Sequence, residues 1–206
     1  IFENVKKFMK FLISTNFDEL FSVAFTTLFS LPPAFLPTQI LWVNLVTDSL
    51  PAVALSLDKN EELMRRKPKD FSSFLSGSWP FILAASALAM LATLIAFNLE
   101  IVGSGNVDKA RTLAISTTIL FELLLIFNCR SDYKSIFRKS PLDNKFLLFS
   151  VLLTILLHVA IVQSWIGKLL NFVGLQVHEW LKVLMLASLA LIVVPEVFIR
   201  KRMKSK

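Results

Sequence analysis

Residues 79–97 read WPFILAASALAMLATLIAF and decide the fold class of the chain. This stretch contains no charged side chain and has about the 20 apolar residues that an α-helix needs to cross a bilayer. The whole chain has the same character, because 55% of its 206 residues are hydrophobic, 18% are charged and its mean hydropathy is +0.65. A soluble domain of this size cannot bury so much apolar surface. The composition therefore predicts a membrane protein.

Windows of about 19 residues predict five more membrane-spanning helices, two before this one and three after it. The six predicted spans cover residues 8–31, 36–57, 79–97, 112–129, 146–166 and 179–199. Segments that contain proline or glycine separate most of the spans, and we find no internal repeat or linker that divides the chain. We therefore predict an all-α polytopic membrane protein in which residues 1–206 form a single domain, one bundle of six transmembrane helices.

The positive charges indicate how this bundle is oriented. The net charge is +7, from 22 Lys and Arg against 15 Asp and Glu. An even number of spans puts both termini on one side of the membrane, and 18 of the 22 basic residues fall on that side. By the positive-inside rule we expect both termini to be cytoplasmic. The basic segments then contact the lipid bilayer, and we expect no nucleic acid partner.

Several polar residues fall inside the predicted spans. They are Asn16, Asp18 and Glu19 in the first span, Asn44, Thr47 and Asp48 in the second, and Glu122 in the fourth. A carboxylate at the centre of a membrane helix costs roughly 2.5–3.5 kcal/mol. No Lys or Arg lies at mid-span to neutralise these acids. The remaining ways to compensate them are protonation, water or a bound cation.

Spacing favours the cation. Asn16 and Glu19 are three residues apart and share one helix face, and Asn44 shares a second face with Thr47 and Asp48. Asp18 lies about 130° from the midline of the first face, which makes it the weaker candidate ligand. Two such faces turned inward, with Glu122 from a third helix, would surround a cavity with oxygen atoms.

The chemistry of this predicted site is entirely that of hard oxygen ligands. Pro51 has no N–H, so the carbonyl of Thr47 loses its helical donor and becomes available as a further ligand. Amide, hydroxyl, carboxylate and carbonyl oxygens suit Ca²⁺ better than Mg²⁺, Cu or Zn, whereas Mn²⁺ stays open. In the alternative interpretation, the Asn and Thr side chains form hydrogen bonds between helices and the acids stay protonated.

Four motifs resemble one known family. Gln39-Ile-Leu-Trp-Val-Asn-Leu-Val-Thr-Asp48, followed by Pro51, is similar to the sixth membrane helix of type-II P-type ATPases in the calcium-pump branch. The segment 2–19 resembles the stalk and fifth helix of that family. Met64-Arg-Arg-Lys-Pro68 resembles the loop after helix 6, and the segment 121–131 resembles helix 8. The chain thus looks like helices 5–10, the C-terminal transmembrane region of such a pump.

The resemblance implies a set of ligands for Ca²⁺, the transported ion. One calcium site would use Asn16, Glu19, Thr47, Asp48 and Glu122. A second site would use Asn44 and Asp48 and would be completed by helix 4, which is not in this chain. The chain departs from the family pattern twice: Ser49 stands where a glycine is frequent, and Asp18 stands where a small residue is usual.

The resemblance also implies what the chain needs from outside itself. The sequence contains no Asp-Lys-Thr-Gly-Thr phosphorylation motif, and we expect it to be a piece of a longer polypeptide. ATP and Mg²⁺ would act only through the missing nucleotide-binding and actuator domains, so no catalytic residue is expected here. The main partner would be the protein's own N-terminal half, with its first four helices and cytoplasmic domains.

The predicted function is that of the transport half of an ATP-driven calcium pump. It would export Ca²⁺ by alternating access, with protons transported in the opposite direction. One alternative is an ATP-independent cation channel or cation/proton exchanger that uses the same acids. Another is a non-catalytic membrane scaffold. The sequence leaves the membrane of residence, plasma membrane or endomembrane, open.

Overall fold

The computed structural model describes residues 2–57, 77–130 and 141–193. Its helices are α1 (Phe2–Leu28), α2 (Pro37–Trp42), a π-helical turn (Val43–Thr47), α3 (Ser49–Ser56), α4 (Trp79–Ser104), α5 (Val107–Cys129), α6 (Lys145–Gln163) and α7 (Val177–Ala187), with short 3-10 segments at Pro141–Asp143, Trp165–Leu170 and Ser188–Ile192. These ranges contain no β-strand. The predicted all-α fold is therefore confirmed for this part of the chain.

Three of the described helices, α4, α5 and α6, are long and apolar enough to cross a membrane. They match the predicted spans at 79–97, 112–129 and 146–166. The helix α1 has 27 residues and is long enough, but it carries several charged side chains. The other predicted spans are each divided into shorter helical pieces, and residues 194–199 lie outside the described ranges. Six spans and two cytoplasmic termini therefore stay predictions, as does the loop motif at 64–68, which is also outside those ranges.

The centre of the bundle is α5. Every residue from Thr112 to Leu123 is buried, because α1, α4, α6 and α7 pack around this helix. A helix that is buried on all sides needs no polar face. Its polar side chains, which include Glu122, therefore depend on the protein interior for their interactions.

The second predicted span is irregular at the π-helical turn. The Asp48 amide donates to the Val43 carbonyl at 2.9 Å, five residues back instead of four, and the Ser49 hydroxyl donates to the Asn44 carbonyl at 2.9 Å. The helix resumes at Ser49, which places Pro51 in the first turn of α3. There its missing N–H costs little. The irregularity expected from Pro51 thus lies one turn earlier than the proline itself.

An ion-pair cluster joins three helices at the end of the bundle where α4 meets α5. Lys109 contacts Glu179 of α7 directly, and its Nζ lies 3.5 Å from Glu100 Oε1 of α4. The Ser104 hydroxyl donates to the same Glu100 oxygen at 2.8 Å, and the Gln176 amide donates to Glu179 at 2.7 Å. We name Glu100, Lys109 and Glu179 the ion-pair cluster. It fixes the α4–α5 hairpin against the start of α7.

Candidate cation-binding site

Helix α1 and the π-helical turn meet through a direct hydrogen bond. Asn44 Nδ2 donates to Glu19 Oε2 at 2.7 Å and also to the Ile40 carbonyl at 3.1 Å. Glu19 is buried, and its second oxygen, Oε1, has no hydrogen-bond partner. The π-helical turn therefore brings Asn44 to the acid on α1, and one carboxylate oxygen is left for another ligand.

Two further acids are buried nearby, one from each of two elements. Asp48 follows the π-helical turn and Glu122 lies on α5, and both are 1% exposed. The charges of Asp48 and Glu19 both act on Glu122, and the Thr15 hydroxyl of α1 lies beside Asp48. Within the described part of the chain, none of the four oxygens of Asp48 and Glu122 has a hydrogen-bond partner. Buried carboxylate oxygens without partners are costly, and their presence needs an explanation.

Asp18 belongs to the same cluster, although its angular position on the helix made it the weaker candidate. Its side chain is fully buried, its Oδ1 accepts from the Ser22 hydroxyl at 3.2 Å, and its Oδ2 has no partner. It faces Thr118 of α5, and its charge acts on that of Glu122. Asp18 therefore does not face water, and it adds a fourth buried acid. We name Asp18, Glu19, Asp48 and Glu122 the carboxylate cluster.

A signal for Asp18 was present in the sequence. Ser14, Asp18, Ser22 and Thr26 recur every four residues, which places them on one helix face. All four are buried. A polar stripe of this kind, on a helix that packs against apolar neighbours, marks the face that is turned to the interior.

The other two predicted ligands are placed differently. Asn16 is exposed, and its Nδ2 donates to the Leu12 carbonyl of its own helix at 2.6 Å. Thr47 is fully buried, but its hydroxyl donates to the Val43 carbonyl at 2.9 Å. The structure thus brings Glu19, Asn44 and Asp48 close to one another, whereas Asn16 points away from them.

The carboxylate cluster does not form a coordination shell in this conformation. Among the described residues, no group of three or more His, Cys, Asp or Glu side chains is arranged to hold a metal ion. The interactions that act on the four carboxyl groups come from other acids, from hydroxyls and from Asn44, with no lysine or arginine of the described ranges among them. Four buried acids without a basic partner leave negative charge for a proton or a cation to neutralise.

Comparison with known proteins identifies the class. The family model described as "Cation transporting ATPase, C-terminus" matches residues 32–203. The chain belongs to this family, and it is part of an integral membrane protein. The resemblance noted from the motifs is confirmed.

Individual relatives are named as calcium-transporting ATPases, which agrees with the family match. The chain is 34% identical over 197 residues to a calcium-transporting ATPase of Bacillus subtilis (strain 168), covering 92% of this chain and 22% of that protein. It is 35% identical over 214 residues to calcium-transporting ATPase 1 of Bacillus cereus, covering 94% and 24%. The endoplasmic-reticulum-type calcium-transporting ATPase 3 of Arabidopsis thaliana is 28% identical over 225 residues, covering 94% and 22%. The chain thus spans less than a quarter of the length of these relatives.

Proposed function

We propose that this chain is the transport half of an ATP-driven calcium pump and that the carboxylate cluster binds Ca²⁺ within the bilayer. The observation that carries the proposal is the burial of four mutually close acids on α1, after the π-helical turn and on α5, with unpartnered oxygens and no basic neighbour among the described residues. The names of the relatives, which are calcium-transporting ATPases, support the choice of ion. ATP and Mg²⁺ act through domains outside this chain.

The ligand chemistry also supports Ca²⁺. The cluster offers carboxylate oxygens together with the amide of Asn44 and the hydroxyls of Thr47 and Thr15. Ca²⁺ takes six to eight such oxygens in flexible geometry. Glu19 and Asp48 are free of any ion pair with a lysine or arginine of the described ranges, so their carboxylates are available to a cation. Asn16 would join the site after a rotation that releases its bond to the Leu12 carbonyl.

In the proposed alternating-access cycle, proton countertransport follows from the charge of the cluster. Carboxylates left empty in a low-dielectric interior are unstable as anions, so protons replace Ca²⁺ when it leaves. The outward step therefore exchanges a cation for protons, which makes proton countertransport a part of the cycle. Energy for the exchange comes from ATP hydrolysis in the missing domains.

The exposed face of α1 indicates where the missing half packs. Asn16, Leu20 and Ala24 are exposed along α1, and Leu45 and Ser49 are exposed beside them on the second span. Asn16 and Ser49 are polar at about the depth of the Glu19–Asn44 bond, where lipid offers no hydrogen bonds. We assign this face to the membrane helices of the protein's N-terminal half, which would supply further ligands. The exposed apolar side chains of α4 and α6 face the lipid bilayer.

The full topology is part of the same proposal. Six spans with both termini in the cytoplasm place the basic segments on the cytoplasmic side. The interrupted second span is compatible with a membrane helix, because irregular backbone is tolerated where it lines a site inside the protein.

Transport in vesicles tests the proposed function. The full-length protein is expected to accumulate radioactive Ca²⁺ in sealed vesicles only when ATP and Mg²⁺ are present, while the vesicle lumen becomes more alkaline as protons leave. A variant without the phosphorylated aspartate is the control. Equal Ca²⁺ flux without ATP would instead support the channel or exchanger, and no flux under any condition would support the scaffold.

A further inference from the structure

His158 is a buried side chain of α6 whose two ring nitrogens both have partners. Its Nδ1 accepts from Trp42 Nε1 at 3.3 Å, and its Nε2 lies 3.0 Å from the Ser116 hydroxyl. The ring is 0% exposed and packs edge-on against Phe172 and Trp180. This contact network holds the imidazole in one orientation.

The chemistry of the partners assigns the proton. A tryptophan Nε1 can only donate a hydrogen bond, so Nδ1 of His158 must be the acceptor. The neutral ring then carries its proton on Nε2 and donates to the Ser116 hydroxyl. We name Trp42, His158 and Ser116 the histidine bridge, since its three members belong to α2, α6 and α5.

The bridge connects two of the three elements that carry the candidate site. Trp42 is the last residue of α2 and lies directly before the π-helical turn, two residues from Asn44. Ser116 lies on α5, six residues before Glu122, which is about 9 Å along a helix. His158 is not among the groups that act on the four carboxyls. Its connection to the site in the described structure runs through Trp42 and Ser116.

We propose that the histidine bridge is a positioning device that sets the distance between the π-helical turn and Glu122. π-helical turns are rare and less regular than α-helix, so their geometry depends on what holds their ends. At one end of the turn α3 begins at Ser49, with Pro51 in its first turn, and the bridge ties the other end to α5. This role rests on the proposed function, because it concerns the affinity of the carboxylate cluster for Ca²⁺.

Substitutions in the full-length protein test the bridge through the Ca²⁺ dependence of phosphorylation from ATP. Trp42→Phe and Ser116→Ala are each expected to raise the half-saturating Ca²⁺ concentration about fivefold and leave the maximal phosphorylation level unchanged. His158→Phe removes both hydrogen bonds and is expected to raise the half-saturating Ca²⁺ concentration about tenfold. His158→Gln keeps a donor and an acceptor and is expected to recover part of the affinity. In the double variant Trp42→Phe/Ser116→Ala, the increase in the half-saturating Ca²⁺ concentration should be smaller than the product of the two single increases, because both substitutions act through His158.

Matched controls separate positioning from general packing. Ser150→Ala removes a hydroxyl on the same helix as His158 that bonds only to the nearby Leu147 carbonyl in the described structure. Trp165→Phe changes an exposed tryptophan. Both controls are expected to keep the half-saturating Ca²⁺ concentration within about twofold of the wild type.

The outcomes distinguish this inference from the proposed function. If the wild type responds to Ca²⁺ and the bridge variants lose thermal stability but keep the wild-type Ca²⁺ dependence, the bridge is only structural and the inference is wrong. Fully multiplicative effects of Trp42→Phe and Ser116→Ala would also overturn it. If the wild type shows no Ca²⁺ response, the proposed function fails, and the positioning role fails with it.

Discussion

In the full-length protein, Glu19→Gln is expected to abolish Ca²⁺-dependent phosphorylation from ATP, and Asp48→Asn is expected to do the same. Each substitution keeps the size of the side chain and removes one negative charge from a buried cluster that has no basic partner among the described residues. Loss of a charged ligand should weaken Ca²⁺ binding at least about 100-fold, or roughly 2.8 kcal/mol. The measurement is the amount of phosphoenzyme formed as free Ca²⁺ is raised through the micromolar range, in which the wild type is expected to respond.

Two further variants provide a weaker effect and a control for comparison. Asp18→Asn is expected to raise the half-saturating Ca²⁺ concentration about tenfold without abolishing phosphorylation, because Asp18 is held in part by the Ser22 hydroxyl. Asp108→Asn changes an exposed acid whose only ion pair among the described residues is with Arg111, and it should have no effect. Unchanged Ca²⁺ dependence in both Glu19→Gln and Asp48→Asn would refute the assignment of the site.

The second large effect concerns stability. Lys109→Met removes the basic member of the ion-pair cluster and leaves Glu179, whose side chain is 2% exposed, without its cationic partner. Removing one partner of a buried ion pair leaves an uncompensated charge, and we expect a loss of about 2–3 kcal/mol because Lys109 itself is 24% exposed. The thermal denaturation midpoint of the purified full-length protein should fall by about 5 °C.

A double-mutant cycle isolates the pair. Lys109→Met combined with Glu179→Gln is expected to recover part of the stability, since Glu179 then no longer leaves a buried charge without its partner. Asp108→Asn is the matched control, because it breaks the exposed Arg111 pair of the same helix turn and should cost less than about 1 kcal/mol. A Lys109→Met protein as stable as this control would show that the cluster contributes nothing to the bundle.

Sequence reasoning predicted the helices whose signal is pure hydropathy. The spans at 79–97, 112–129 and 146–166 coincide with α4, α5 and α6, because long apolar runs leave little choice of structure. The second span was harder, because Pro51 predicts a carbonyl at Thr47 without its helical donor but not the π-helical turn that ends there. The π-helical turn at 43–47 depends on contacts with α1 and α6, including the Asn44–Glu19 bond.

For the candidate site, the sequence identified the polar residues inside the apolar spans but not which of them lie close together. The spacing of Asn44 and Asp48 placed them on one face, and Glu122 was the one acid in an otherwise uncharged span. The structure exposes Asn16 and buries Asp18, the reverse of what their spacing favoured, because spacing alone does not say which face of α1 is turned inward. Packing against α4 and α5 selects the face that carries Asp18. The partners of His158 were also beyond sequence reasoning, since Trp42 and Ser116 are distant from it along the chain.

Equilibrium binding of radioactive Ca²⁺ to the full-length protein in the absence of ATP tests the central claim most directly. The wild type is expected to bind Ca²⁺ at micromolar free concentrations, and Glu122→Gln, which changes an acid with two unpartnered oxygens, is expected to lose at least one bound ion. Asp108→Asn should bind as the wild type does. Wild-type binding by the Glu122→Gln protein, in both affinity and number of ions, would contradict a calcium site at the carboxylate cluster.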